Sequence, residues 1–239
     1  MSVEANNTPE LDLIMLQNVL VSVYDKAELE VLVQGLLEVN PEVMFYSTGG
    51  TGKKLLEILG PNSNNYTSVE DFTGAPEMQG GRVKTLHPKI HAGLLGKRLM
   101  PEHQDYIKNV MAEMTGTPGV YFDILACSVY PFNQTVAKPS SNFRDWIENI
   151  DIGGPTMLWA SAKNFDSVAI LSDPKQYDEF IQTVKEQNGT THEQRWGMAV
   201  DAMEKMGLYR LYISTHMGQK VDYHKDILSH TTFAKPAGE

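Results

Sequence analysis

Cysteine is nearly absent from the sequence, since Cys127 is the only one among 239 residues. A single thiol excludes an internal disulfide and is typical of a reducing compartment. The first ten residues lack a basic start followed by an apolar segment, so we expect no secretory signal peptide. No apolar run approaches the length of a membrane span. The sequence therefore predicts a cytoplasmic protein without a membrane partner, in which Cys127 is an inert buried thiol.

Positive charge is also scarce, because 20 Lys and Arg residues are outnumbered by 30 Asp and Glu, for a formal net charge of -10. This balance argues against nucleic acid as the main partner, since a phosphate backbone requires a broad basic face. It leaves room for a small anionic ligand, which needs only a local positive site. The 41% hydrophobic content is typical of a globular protein long enough to bury a large core.

The cations that are present concentrate in residues 80–91, which begin with two glycines. The charged and titratable side chains of this stretch are Arg82, Lys84, His87, Lys89 and His91. One interpretation is a preformed anion site, with Arg82 as a planar fork and Lys84 as a movable point charge. The alternative is a basic surface loop, and the stretch alone favours neither. The two histidines could suggest a metal pair, but Pro88 interrupts a helix between them, so a structural or substrate contact is favoured.

Apolar runs alternate with helical patterns along the chain. We predict strands at 18–24, 42–46, 67–69, 122–129 and 167–171, and helices at 27–39, 52–59, 102–114, 143–150, 155–164, 175–186 and within 192–217. This alternation predicts a parallel sheet covered by helices on both faces. The strands then end at one edge, which is where such sheets bind ligands. Asp25 is expected to cap the first helix.

A Ser-Thr-Gly-Gly-Thr turn at 47–51 joins a predicted strand to a predicted helix. Backbone N–H groups and hydroxyls converge at such a turn, and the helix dipole favours an anion there. The alternative is a simple glycine turn with a threonine cap. The turn is not a Walker P-loop, because the spacing and the Gly-Lys-Thr ending are absent.

Several motifs occur in an order that resembles one enzyme family. They are Asp25-Lys26, the turn at 47–51, Gly-Arg-Val-Lys-Thr-Leu-His-Pro at 81–88, Tyr130-Pro131-Phe132, Ile-Asp-Ile-Gly-Gly at 150–154, and Ala162-Lys163-Asn164. The chain resembles the inosine monophosphate (IMP) cyclohydrolase domain of the bifunctional purine-biosynthesis enzyme, from about residue 19 to about residue 180 and more weakly to about 215. The transformylase half of that enzyme has no counterpart here, which fits a free-standing enzyme or a part of a longer chain.

The resemblance implies an α/β fold, namely a methylglyoxal-synthase-like three-layer α/β/α sandwich with a mostly parallel sheet. We place an N-terminal extension at 1–16, the cyclohydrolase domain at 17–218 and a tail at 219–239. The implied reaction closes the ring of 5-formamidoimidazole-4-carboxamide ribotide to give IMP, with loss of water. It needs no metal, cofactor or covalent intermediate. The partner is a small purine ribotide, and the long C-terminal amphipathic segment suggests a homodimer.

The resemblance also nominates the site residues. Those for the phosphate are Lys26, Thr48, Gly49, Gly50, Thr51, Arg82 and Thr85; those for the reacting ring are Lys84, Tyr130, Asp151 and Lys163. Lys84 and Tyr130 would flank the formyl oxygen. Asp151 and Lys163 would form a charge-coupled pair that orients and deprotonates the carboxamide. An ammonium beside a carboxylate normally stays charged. Asp151 is therefore at least as plausible as Lys163 as the base that takes the proton from the carboxamide.

Structural interpretations exist for the same residues. Asp151 could cap the helix that follows it, and Tyr130 could be an aromatic at the rim of the core. Lys163 could be a surface lysine, although Ala160 and Ala162 favour a packed setting.

Three positions depart from the family pattern, namely Tyr24 where a serine is usual, Ser128 where an asparagine is usual and Trp159 where an arginine is common. Two other functions use the same turn at 47–51: a methylglyoxal-synthase-like lyase and a non-catalytic purine-nucleotide-binding regulatory domain, as in carbamoyl phosphate synthetase. The Lys84, Asp151 and Lys163 motifs argue against the lyase. Retention of all four ring residues favours catalysis over regulation.

Overall fold

The computed structural model describes residues 11–76, 78, 81–220 and 222. Gly80, most of the predicted N-terminal extension and most of the predicted tail lie outside the described residues. The chain divides into two compact units. The first contains the chain up to Val129 together with Ile152–Glu204, and the second contains Tyr130–Asp151 and the chain from Lys205. The predicted boundaries at 17 and 218 stay a prediction.

The first unit is built on a five-stranded sheet. Its strands are β1 (Asn18–Val23), β2 (Met44–Ser47), β3 (Tyr66–Ser68), β4 (Ile124–Ser128) and β5 (Ala169–Leu171). They lie in the order β3-β2-β1-β4-β5, and every neighbouring pair is parallel. The five predicted strands are therefore confirmed; β1, β2, β4 and β5 are shorter than predicted, and β3 has the predicted length but begins one residue earlier. Because all five are parallel, their carboxyl ends share one edge of the sheet.

The helices follow the strands in the alternation that the sequence predicts. They are α1 (Leu29–Val39), α2 (Gly49–Leu59), α3 (Val69–Thr73), α4 (Pro88–Leu95), α5 (Pro101–Asp105), α6 (Met111–Thr115), α7 (Phe132–Ala137), α8 (Phe143–Glu148), α9 (Gly153–Lys163), α10 (Tyr177–Gln187) and α11 (His192–Lys220). A π-helical turn, Tyr106–Val110, joins α5 to α6, and a 3₁₀ turn, Pro174–Gln176, precedes α10. None of the described helices is long and apolar enough to span a bilayer.

Side chains on both faces of the sheet are buried, which makes the first unit a three-layer structure. On one face, alternate positions such as Val19 and Val21 of β1 pack with apolar residues of α1, α2 and α10. On the other face lie Tyr46 and Cys127, whose thiol is 3.8 Å from the carbonyl oxygen of Gly154 in α9. Cys127 is fully buried, as predicted for an inert thiol.

The predicted start of α1 is wrong. The helix begins at Leu29, and its N-cap, Glu28, has a left-handed backbone with φ of 55° and no capping side chain. The Asp25 carboxylate instead accepts a hydrogen bond from the N–H of Ala27 at 2.9 Å, forming a local turn before the helix. Such a short-range bond competes with helix formation, so Asp25 shapes the loop and does not cap α1.

Proline positions two helix starts. Pro88 does not exclude a helix but begins α4, where its missing N–H costs nothing because that group has no partner in a helix's first turn. Pro174 follows Asp173, whose carboxylate accepts from the N–H of Lys175 in a capping box with Gln176. The helix predicted at 175–186 is confirmed as α10, which begins two residues later, at Tyr177.

Candidate active site

The turn between β2 and α2 presents the N-terminal end of a helix at the carboxyl edge of the sheet. Thr48 is the N-cap of α2 in an extended conformation, and its side chain makes no capping hydrogen bond. The first N–H groups of any helix lack acceptors within the helix and carry its positive dipole end. Gly49 has a φ of 52°, a left-handed conformation that glycine adopts without a steric cost. The turn therefore exposes backbone donors at the carboxyl edge of the sheet.

Two lysines border this turn. A β-carbon built on Gly49 would lie 3.1 Å from the ammonium nitrogen of Lys84, and one built on Gly50 would lie 3.9 Å from Cε of Lys26. The Lys26 ammonium also donates to the carbonyl oxygen of Tyr24 at 3.2 Å. The structure thus brings the motifs at 25–26, 47–51 and 81–88 together, and it places the Lys84 ammonium beside the predicted phosphate turn.

Two hydroxyls of the same turn point into the fold. Ser47 donates to the carbonyl oxygen of Val21 at 2.6 Å, and Thr51 donates to that of Val23 at 2.9 Å. Both residues are buried. They tie the turn to β1, so Thr51 contributes the position of its backbone rather than an outward hydroxyl donor.

The cationic stretch holds an unusual backbone. Val83, between Arg82 and Lys84, has a φ of 58°, a conformation that is an outlier for a β-branched residue. Its carbonyl oxygen accepts from the N–H of Leu86 at 3.0 Å, which closes the turn. Such conformations cost on the order of 1–3 kcal/mol and tend to occur at functional sites. Arg82 is exposed and Lys84 is half-buried.

Thr85 meets the start of α9. Thr85 is buried, and a β-carbon built on Gly153 would lie 2.5 Å from its hydroxyl oxygen. Only glycine allows this approach, because real β-carbon contacts are essentially never closer than 3.0 Å. The motif at 150–154 and the motif at 81–88 therefore meet at Thr85 and Gly153, a contact that sequence reasoning did not provide.

Lys89 and the two histidines of the stretch have structural roles. Lys89 is fully buried, donates to the hydroxyl of Thr115 at 2.9 Å and the carbonyl oxygen of Thr117 at 2.7 Å, and lies 4.5 Å from the centroid of the Phe72 ring. It is therefore not available to a ligand. His87 is the N-cap of α4 and accepts from the N–H of Lys89 at 3.1 Å.

His91 contacts the same loop from α4. Burial lowers the pKa of its imidazole, and a hydrogen bond with the backbone of Thr85 partly opposes that shift. Burial likewise lowers the pKa of His87, with the Lys89 charge as a second cause. Both imidazoles therefore favour the neutral form beside the loop that carries Thr85.

Tyr130 and Asp151 lie in the second unit and contact each other. The N–H of Tyr130 donates to a carboxylate oxygen of Asp151 at 3.4 Å, and the N–H of Asp151 donates to the hydroxyl of Tyr209 at 2.9 Å. Burial raises the pKa of Tyr209. Tyr209 lies on α11, and no sequence motif indicated that it would contact Asp151.

The interpretation of Asp151 as a helix cap and the packed setting expected for Lys163 are wrong, whereas the interpretation of Lys163 as a surface lysine is confirmed. Asp151 does not cap α9, because the N-cap is Ile152 and no side chain makes a capping bond there. Lys163 is not in a packed setting, because it is exposed although Ala160 and Ala162 are buried. Successive side chains in a helix point in directions about 100° apart, so the burial of Ala160 and Ala162 does not imply that Lys163 is buried. Lys84 and Lys163 belong to the first unit.

The three departures lie at exposed or half-buried positions. Tyr24 is 43% exposed and Trp159 is 54% exposed. The half-buried Ser128 accepts a hydrogen bond from the N–H of Tyr24 at 2.9 Å. The first two therefore present large aromatic surfaces, whereas the third is part of the hydrogen-bonding of the fold.

These features define an α/β domain in which a parallel sheet, a helix start and a cationic loop meet at one edge of the sheet. Residues 28–156 match the model of the MGS-like domain, and residues 161–236 match that of the AICARFT/IMPCHase bienzyme. The chain belongs to the MGS-like domain family. The matches confirm the predicted fold class and the resemblance to the cyclohydrolase domain.

Relatives over most of the chain are bifunctional purine biosynthesis proteins PurH. Identity is 38% over 86% of this chain for the protein of Cutibacterium acnes, 39% over 92% for that of Bacillus cytotoxicus and 40% over 86% for that of Thermoanaerobacter sp.. The chain spans 37%, 41% and 38% of the length of these relatives. The crystal structure of ForH is 28% identical with a TM-score of 0.64, covering 83% of this chain and 97% of that one.

Proposed function

We propose that the chain is an IMP cyclohydrolase, which closes the ring of 5-formamidoimidazole-4-carboxamide ribotide to IMP with loss of water. The observation that carries the proposal is the convergence of Lys26 and Lys84 on the glycine turn that begins α2. Two cations beside a helix start suit the dianionic phosphate of a ribotide. The identity with PurH proteins over most of the chain supports purine biosynthesis as the pathway.

The phosphate would be held by the backbone of Thr48, Gly49, Gly50 and Thr51 together with Lys26, Arg82 and the Thr85 hydroxyl. Binding energy from this remote group can hold the base in the planar rotamer in which the carboxamide nitrogen meets the formyl carbon. The gain comes from restricting rotation about bonds that are free in solution. Anchoring the phosphate is therefore the first contribution of the site to the rate.

The reacting groups would be handled by Lys84, Tyr130, Asp151 and Lys163. As the carboxamide nitrogen attacks, the formyl oxygen gains negative charge, which Lys84 and Tyr130 would stabilise. Asp151 would accept the proton that the carboxamide nitrogen loses. Lys163, at the exposed end of α9, would supply positive charge for the carboxamide oxygen, or a proton for the departing water.

We also propose that the chain works in the cytoplasm as a homodimer. Support comes from α11, where Trp196, Val200 and Met203 are exposed at helical spacing in the first unit. Leu208 and Leu211 are exposed on the part of the same helix that belongs to the second unit. Apolar side chains repeated along one helix are typical of a surface that another protein covers.

One preparation of the chain tests the function against its alternatives. It is incubated separately with the formamido ribotide and with dihydroxyacetone phosphate, and its binding of IMP is measured by calorimetry. A cyclohydrolase forms IMP from the ribotide and leaves the triose phosphate unchanged. Methylglyoxal release would identify a lyase, and IMP binding without turnover of either substrate would identify a regulatory domain.

A further inference from the structure

The turn that carries Lys26 is held by a side chain from the neighbouring strand. Ser128 ends β4, and its hydroxyl oxygen accepts hydrogen bonds from the N–H groups of Tyr24 at 2.9 Å and Asp25 at 3.4 Å. These two residues follow β1, which pairs with β4 as far as Val23 and Ser128. The N–H of Tyr24 also donates to the backbone carbonyl oxygen of Ser128 at 3.4 Å, so the hydroxyl reinforces the pairing at Tyr24 and extends it to Asp25.

The same turn fixes the position of the Lys26 side chain. The Lys26 ammonium donates to the carbonyl oxygen of Tyr24 at 3.2 Å, and Cε of Lys26 lies close to Gly50 of the anion turn. Asp25 closes the turn by accepting from the N–H of Ala27 at 2.9 Å. A continuous path of hydrogen bonds therefore runs from Ser128 through the backbone of Tyr24 to the ammonium of Lys26.

We propose that Ser128 is a positioning residue for phosphate binding, which acts through the backbone of Tyr24 and Asp25 to hold Lys26 against the turn that begins α2. The proposal rests on the proposed function in that the phosphate is taken to be that of a purine ribotide. Ser128 needs no contact with the ligand in this role. Tyr24 participates through its backbone, which explains why a bulky exposed side chain is compatible with the turn.

The physical reason is a shared acceptor. Two backbone N–H groups use one hydroxyl oxygen. Without it, the N–H of Tyr24 keeps only the longer bond to the Ser128 carbonyl oxygen as a link to β4, and the bond from Asp25 to Ser128 is lost. Each neutral hydrogen bond contributes about 0.5–1.5 kcal/mol, enough to let the turn sample other conformations without unfolding the sheet. Lys26 would then spend less time beside the anion turn, and binding of a phosphorylated ligand would weaken.

The test compares Ser128→Ala with Ser128→Thr, which keeps a hydroxyl acceptor. Ser172→Ala is the matched control, because Ser172 directly follows β5 and its buried hydroxyl has no hydrogen-bond partner among the described residues. Calorimetry measures the affinity of each variant for IMP and for inosine, which lacks the phosphate. Kinetics with the formamido ribotide give KM and kcat, and circular dichroism verifies the fold.

We expect Ser128→Ala to weaken IMP binding and raise KM about tenfold, the equivalent of about 1.4 kcal/mol, with kcat within about twofold. Inosine binding stays at the wild-type level, Ser128→Thr restores IMP binding, and Ser172→Ala changes neither. Unchanged IMP affinity in Ser128→Ala, or an equal loss of inosine and IMP affinity, overturns the proposal.

If the wild-type chain binds IMP without forming it from the ribotide, the proposed function fails while a loss of IMP affinity in Ser128→Ala still supports the positioning role. If it does not bind IMP, both fail.

Discussion

The contact between Thr85 and Gly153 shows how a single absent side chain can shape a site. The Thr85 hydroxyl lies in the space that a β-carbon on Gly153 would occupy. Position 153 at the start of α9 therefore requires glycine for a steric reason, because any side chain would meet the Thr85 hydroxyl, and backbone flexibility is not needed to explain it. Thr85 is one of the residues proposed to hold the phosphate, and in that role the contact would link the beginning of α9 to ligand binding.

Gly153→Ala is predicted to displace the Thr85 hydroxyl and raise KM for the ribotide about tenfold or more, because hydrogen bonds to charged groups contribute about 1.5–3 kcal/mol. The measurement is the steady-state rate of IMP formation over a range of ribotide concentrations. Gly197→Ala is the control, since a β-carbon there meets no atom within 4 Å. If Gly153→Ala kept the wild-type KM, Thr85 would have no part in holding the phosphate.

Asp151→Asn is predicted to lower kcat about 100-fold or more, the range lost with a general base, while KM changes little. The amide keeps an oxygen that can accept from the N–H of Tyr130, so the local contact survives the loss of charge. Asp201→Asn, at an exposed position of α11, serves as the control. Turnover near the wild-type rate would show that Asp151 does not accept the proton.

At the scale of elements, α4 carries a titratable side chain, His91, that contacts the cationic loop at Thr85. Burial keeps the pKa of His91 below that of the free side chain, while the unfolded chain titrates near the ordinary value of about 6.5. The folded state then binds fewer protons than the unfolded state in this window. The contribution of His91 to stability is therefore present above about pH 6.5 and is lost as the pH falls through the folded-state pKa.

We predict that the midpoint temperature of thermal unfolding decreases when the pH is lowered from about 7.5 to about 5.5, the range in which the histidine titrates. We predict a smaller decrease for His91→Gln. Glutamine keeps an N–H donor for the backbone of Thr85 but does not titrate. His216→Gln, in the second unit, controls for the loss of a histidine elsewhere. An identical pH dependence in wild type and His91→Gln would contradict the assignment.

Element types follow from the sequence far better than element starts do. The five strands alternate with helices as the apolar pattern indicates, because burial on both faces of a parallel sheet leaves a strong signal. The start of α1 is set by the left-handed backbone of Glu28, which no side-chain pattern reveals. The start of α4 is missed in the sequence analysis, where Pro88 only interrupts a helix, because proline can also occupy the first turn of a helix.

For the molecule as a whole, the site residues could be nominated but not arranged from the sequence. The glycine turn, Lys26 and Lys84 converge as the motif order suggests. Tyr209 could not be found, because it lies 58 residues from Asp151 and its contact depends on the path of α11. The exposure of Lys163 depends on which side of α9 faces the sheet, and adjacent alanines do not specify that side.

The exposed residues of α11 carry the prediction about assembly. We expect the chain to sediment as a dimer, and the double variant Trp196→Lys, Val200→Asp to sediment as a monomer, because charges placed on an apolar contact must be desolvated without partners. Asp201→Lys introduces a charge change at a neighbouring exposed position of the same helix and should leave the dimer intact. A wild-type chain that stays monomeric at all concentrations would remove the support for a homodimer.

The most direct measurement compares two substrates that differ only in the phosphate: the formamido ribotide and its dephosphorylated riboside. Ring closure of each by the purified chain is followed by the absorbance of the purine product. Remote binding energy from several charged contacts predicts a kcat/KM at least about 1,000-fold higher for the ribotide. Equal values for the two substrates, or no product from the ribotide, would contradict a cyclohydrolase that works by anchoring the phosphate at the turn after β2.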